Sequence, residues 1–159
     1  MSKNNFGMFL KKIENLRKGS IIKVDGVKRE AIFMASYSSE HFPNDWYIKL
    51  FFKDGTILEV MPVSEEVFFC KEGHKEIDRS LLDNSGKRLT INGEEYDILN
   101  SNDIQVVKKI YFGDVSEGEA GCIFSDFGST NKVWSLAKLD DGTISDVCAE
   151  KITIEDVTI

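Results

Sequence analysis

The spacing of apolar residues changes its period once along the chain. In "NNFGMFLKKIENLRKG", Phe6, Phe9, Leu10, Ile13 and Leu16 recur at three- and four-residue steps, with Met8 at the edge. That spacing lines one face of a helix. Asn5 is placed to cap its start and Gly19 to end it, with Arg17 and Lys18 near the negative end of the dipole. After Gly19 the pattern becomes one of strands and tight turns. "IIKV" and "VKREAIFMASY" flank Asp25-Gly26, and "DWYIKLFF" and "TILEVMPV" flank Asp54-Gly55. Glycine supplies the positive φ that such hairpin turns need. "EEVFFC" reads as a fifth strand. "KEGHKEIDRSLLDNSGK" is polar and irregular, with one helical turn at Asp78 to Leu82, and Asn84-Ser85-Gly86 marks a boundary.

The second half repeats the first. "RLTI" and "EEYDIL" flank Asn92-Gly93, "DIQVVKKIYF" is a long strand, and Cys122 to Phe124 form a short one. "KVWSLAKL" and "TISDV" flank Asp141-Gly142, and "KITIEDVTI" closes the chain as a strand. Both halves thus run through a short strand, a turn, a longer strand, a Trp-bearing strand, a "DGTI" hairpin and a terminal strand. Gly26 to Gly55 spans 29 residues and Gly93 to Gly142 spans 49, so the second copy carries an insertion of about 20 residues at 113–131. Asp-Gly is also the commonest hairpin signal, which is the competing explanation of the matching turns. The expected fold is mainly β: two related, small, curved sheets or half-barrels preceded by one helix. The units are residues 1–19, 20–83 and 84–159. Alternation in "DWYIKLFF" predicts one packed face and one partly solvated face.

Composition narrows the function classes. The chain has 159 residues, 42% hydrophobic and 30% charged, enough to bury a core without disulfides or metal. The net charge of −7 disfavours binding to a phosphate backbone, so no nucleic-acid partner is expected. Residues 1–19 depart from this: Lys3, Lys11, Lys12, Arg17 and Lys18 stand against Glu14 alone. Such a basic amphipathic start can touch an anionic membrane through residues 1–18, or it can dock on its own β domain with lysines facing water. Three cysteines, no secretory leader pattern and no long apolar run predict a reduced, cytoplasmic protein.

The stretches "LRKGSIIKVDG", "DWYIKLFFKDGTILEV", "GDVSEGEAG" and "VWSLAKLDDGTISDV" resemble a bacterial family known as domain of unknown function 4178, over most of residues 16–149. Ser20, where an acidic residue is expected, and Lys28-Arg29, where an aromatic is expected, depart from that pattern. The resemblance implies an all-β accessory domain tied to membrane or envelope-stress assemblies. It brings no catalytic residue with it.

Candidate chemistry is sparse. Cys70 and His74 have a spacing that can share a metal, but His41, Cys122 and Cys148 complete no closed ligand set. A nucleophile paired with His41 or His74 has no motif behind it. Glu65-Glu66, Glu94-Glu95 and Asp140-Asp141 are neighbours that a strand points to opposite faces, so they read as solvated charges. Glu117, Glu119 and Asp126 lie among glycines without the ligand order of a calcium loop. Trp46 and Trp134, each opening a strand before a turn, read as core rather than as base-stacking platforms. No catalytic, cofactor-binding or metal residue is assigned. The expected function is that of a non-enzymatic accessory domain docking another protein through a β edge or the insertion. The alternatives are a small-molecule or lipid-surface binder and, third, a metal-dependent or Cys/His enzyme.

Overall fold

A computed structural model of the chain describes residues 3–71, 75–76, 81–83, 85–115, 122–138 and 144–159. Helix α1 (Lys3–Glu14) precedes β1 (Ile21–Val24), β2 (Val27–Ser39), β3 (Trp46–Phe52), β4 (Ile57–Met61), β5 (Glu66–Cys70) and β6 (Lys75–Glu76). The second half supplies β7 (Arg88–Ile91), β8 (Glu94–Phe112), β9 (Ile123–Gly128), β10 (Lys132–Lys138), β11 (Ile144–Ile152) and β12 (Val157–Thr158). Two hairpins form as their turn residues dictate. Asp25 and Gly26 have φ of 52° and 77°, and Asn92 and Gly93 have 52° and 80°. Positive φ at both central residues is the turn whose twist matches that of the flanking strands.

Eight strands close into an antiparallel barrel in the order β2-β3-β4-β5-β11-β10-β9-β8, sealed by pairing of β2 with β8. Two long strands make the closure possible. β2 pairs β1 over Val27 to Glu30 and β8 over Met34 to Ser39. β8 pairs β7 over Glu94 to Asp97, β9 over Asp97 to Ile104 and β2 over Gln105 to Phe112. β12 continues the sheet beyond β1. A barrel of eight strands is just wide enough to be filled by side chains or to hold one small ligand.

The barrel wall packs on both faces. On the outside, Phe6, Phe9 and Ile13 of α1 join Ile48, Leu50 and Phe52 of β3 and Leu58 and Val60 of β4 in one buried cluster. The alternate residues of the same strands point inward, as the pleat requires. Phe33, Phe51, Ile57 and Cys70 form a second buried cluster that fills one end of the barrel. A third, of Leu89, Tyr96, Phe127 and Leu136, covers the outer wall near β7.

The mainly β class with a leading helix holds, and several finer expectations change. Strands of both halves close one barrel. The helix stops at Glu14, so Asn5 lies inside it. Gly19 instead ends the approach loop, its N–H donating to the Ala31 carbonyl at 2.8 Å. "EEYDIL" and "DIQVVKKIYF" are one strand, β8, bent by register shifts around Asn100 to Asp103, where Asn102 has φ 49°. Part of the 113–131 stretch is β9, a barrel strand between β8 and β10. The chain end splits: β11 runs to Ile152, a turn of 3-10 helix covers Ile154–Asp156, and β12 crosses to β1. The helical turn expected at 78–82, the Asp141-Gly142 turn and the Asp140-Asp141 pair fall wholly or partly outside the described residues.

Candidate functional site: the barrel lumen

Between the filled end and the opposite mouth, the barrel keeps a cavity of about 310 Å3 that all eight of its strands line. Small side chains on β10 and β11 help to make the room: Ala137, Val147 and Ala149 share the lining with the bulkier Tyr47, Phe68 and Phe124. This volume lies at the low end of the ~300–1,000 Å3 usual for small-molecule sites.

Charged groups project into this cavity at mid-barrel. Lys49 of β3 and Glu59 of β4 are direct cross-strand neighbours, their charged atoms 3.6 Å apart. Lys49 Nζ also lies 5.7 Å from the ring centre of Tyr37 and 5.9 Å from that of Tyr47, two rings stacked 5.7 Å apart. A cation over ring faces is held by their quadrupoles. Asp126 of β9 stands on another part of the wall, beside Ser135 of β10, whose hydroxyl donates to it at 2.5 Å. Burial raises the Asp126 carboxyl to about 6; Ser135 pulls it down, Glu59 pushes it up, Lys49 lowers it and Asp103 raises it. Tyr47 donates to Gln105 Oε1 at 2.6 Å, and Gln105 Nε2 approaches the Cys122 sulfur at 3.9 Å.

The mouth is held by a knot around Asp103, which is 0% exposed. Its carboxylate accepts from the Ser39 hydroxyl, from Asn100 Nδ2 at 2.5 Å, and from the N–H groups of His41 at 2.9 Å and Ile104 at 2.7 Å. Burial pushes this carboxyl up, and the Ser39, His41, Asn100 and Ile104 bonds more than offset that, leaving it below the usual range. Ser39, His41 and Asp103 are the residue types of a hydrolytic triad in the wrong order. The Ser39 hydroxyl bonds Asp103 directly, and the His41 ring turns to Asn100 Oδ1 at 2.9 Å. Among the described residues no imidazole is bonded to this hydroxyl, and the knot ties the β2–β3 loop to β8. Around it, Phe42 and Leu99 line the opening while 51% and 60% exposed.

The residues singled out in the sequence scatter. Cys70 lies in the filled end, and His74 lies outside the described residues. Cys148 sits opposite Trp134 in the β10–β11 ladder, and burial together with Cys70 pushes its thiol up to about 11, far from a thiolate nucleophile. Trp46 packs beside the helix cluster and Trp134 against Tyr96 in the third cluster. Of the carboxylates, Glu66 reaches the mouth and pairs with Lys151 at 3.0 Å, and Asp126 reaches the lumen, while Glu117 and Glu119 lie outside the described residues. Among the described residues no three His, Cys, Asp or Glu groups gather as a metal site. Lys49, Glu59 and Ser135 were not anticipated. The only sequence signal for them is their alternation with residues of the outer wall.

Away from the lumen, Val106, Val107 and Ile110 of β8 are exposed, with Ile104 and Ile123 beside them. No helix among the described residues is long and apolar enough to cross a membrane. No protein-family model, curated protein or solved structure matches the chain.

Proposed function

We propose that the protein is a non-enzymatic binder of one small amphipathic molecule, held inside the barrel. The observation that carries this reading is the half-empty lumen: one end is packed with aromatic side chains, the other is hollow, open and lined by both apolar and charged groups. A barrel built only for stability would be filled throughout. Phe42 and Leu99, apolar yet exposed at the mouth, suit the entry of an apolar body. Phe6, Phe9 and Ile13 lie against the barrel, which weighs against the lipid-surface alternative. The test is a titration with a neutral solvatochromic dye, N-phenyl-naphthylamine. Saturation at one equivalent is expected, and its loss in Ala149→Trp, which fills the lumen. A dye response unchanged by that substitution counts against the reading.

The accessory-domain reading stays as a second proposal, supported by the exposed apolar side chains of Val107 and Ile110, which share one face of β8. Its partner would be a protein, and Val107→Lys with Ile110→Lys should abolish that complex while leaving the dye titration intact. The family resemblance adds no ligand to either reading. Duplication of one ancestral unit is likewise a proposal. In its favour, β1-β2 and β7-β8 are hairpins with the same turn, and β2 pairs with β8 as β5 pairs with β11. Against it, Trp46 lies in a strand next to β2, whereas β9 separates the strand of Trp134 from β8.

A further inference from the structure

We infer that the lumen takes a small organic monocation, a protonated amine on an apolar body, with the amine lodged between Glu59 and Asp126 and the body toward Phe42 and Met61 at the mouth. This rests on the lumen being a ligand site. The charge of the lining decides the sign of the head group. Among the described lining residues, Lys49 is the one cation, against Asp45, Glu59, Glu66 and Asp126. Lys49 pairs with Glu59, and Glu66 pairs with Lys151 at the rim. The balance leaves negative charge at Asp126, midway down the lumen, and at Asp45 near the mouth.

Three kinds of head group meet this arrangement differently. An anionic head would face Glu59 and Asp126 and would have to draw Lys49 away from Glu59. A neutral head would displace water from around Asp126 and leave its charge opposed only by Lys49, which Glu59 already holds, and that is costly in a water-poor site. A protonated amine supplies the missing charge and three donors for carboxylate oxygens. The way Lys49 is held shows that the cavity already suits an ammonium group: a carboxylate on one side and two tyrosine faces on the other. Burial lifts the Asp126 carboxyl to about 6, and a bound cation would relieve that strain on its charged form. Apolar side chains lie above: Phe42, Met61, Leu99 and Val133 line the cavity toward the mouth.

The experiment uses three ligands that differ only in the head: octylamine, octanol and octanoate. Each is titrated calorimetrically into the full chain at neutral pH. Octylamine should bind about tenfold or more tightly than either of the others, the usual scale of a charge-assisted contact. Asp126→Asn, which keeps an acceptor for Ser135, should remove most of that preference while octanol binding persists. If octanol or octanoate binds as tightly as the amine, the charge inference is overturned and the lumen reading stands. If Asp126→Asn leaves the preference whole, the amine does not sit at Asp126 and the inference fails. If none of the three binds, or all bind equally to Ala149→Trp, both are overturned.

Discussion

The two faces of the strands β3 and β4 differ sharply. Toward α1, Ile48, Leu50, Phe52, Leu58 and Val60 are almost wholly buried in one apolar cluster. Toward the lumen the alternate positions begin the same way, with Phe51 and Ile57 in the filled end. They then give way to Lys49, Glu59 and Met61 around open space. One wall thus excludes water everywhere, while the other keeps charge and volume that cost stability. Placing both on the same strands fixes the lumen side chains, because each strand is clamped from behind by the helix. The contrast separates the residues that hold the barrel together from those that face whatever enters it.

Truncation at the helix side should give the largest effect. Leu50→Ala removes a fully buried side chain beneath α1 and should cost about 3 kcal/mol in chemical denaturation. An effect well under 1 kcal/mol would mean that the helix clamp contributes little. At the mouth, Asp103→Ala strips the acceptor from four donors and should cost about 2 kcal/mol near neutral pH. The sign of its pH dependence follows from the lowered carboxyl. The stabilisation is present above the ordinary value of 3.8 and is lost as pH falls through the lower native value. Wild type and variant should therefore converge in acid.

Within the lumen the sign reverses. The native Asp126 carboxyl, at about 6, lies above its ordinary value of 3.8. The folded chain then holds this proton more tightly than the unfolded one, and stability from this group is lost as pH rises between those values. The groups that face it are Lys49, Glu59, Asp103 and Ser135. Asp126→Asn should be more stable than wild type by about 1 to 2 kcal/mol above pH ~7, with the gain fading toward pH ~4. A stability loss in Asp126→Asn at high pH would erase the contrast between the two walls.

The sequence was informative wherever structure is decided locally. Asp25-Gly26 and Asn92-Gly93 turn where expected because their positive φ is intrinsic to the residue pair. The helix face was legible from Phe6, Phe9 and Ile13, and these residues are buried. What was hidden depends on contacts between distant segments. "NSND" at 100–103 reads as a break, yet β8 passes through it because Ser39 and the His41 N–H bind Asp103 from 64 and 62 residues away. "WYIKLFF" suggests that Lys49 faces solvent. It faces the lumen because α1 covers the other side, and no local pattern records where a helix docks. Proximity in sequence groups Asp126 with Glu117 and Glu119, whereas its partners come from pairing with β10 and from across the barrel. The closed ring itself needs β2 to meet β8, a pairing set by the length of two strands rather than by any motif.

The central claim is that a ligand enters the space between Lys49, Glu59 and Asp126. Its most direct test is an amide correlation spectrum of the labelled chain titrated with octylamine. The account predicts progressive shifts at Lys49, Glu59, Asp126, Ser135 and Val147, with the amides of α1 left in place. Shifts confined to α1, or to the exposed β8 residues Val106 and Ile110, would contradict it.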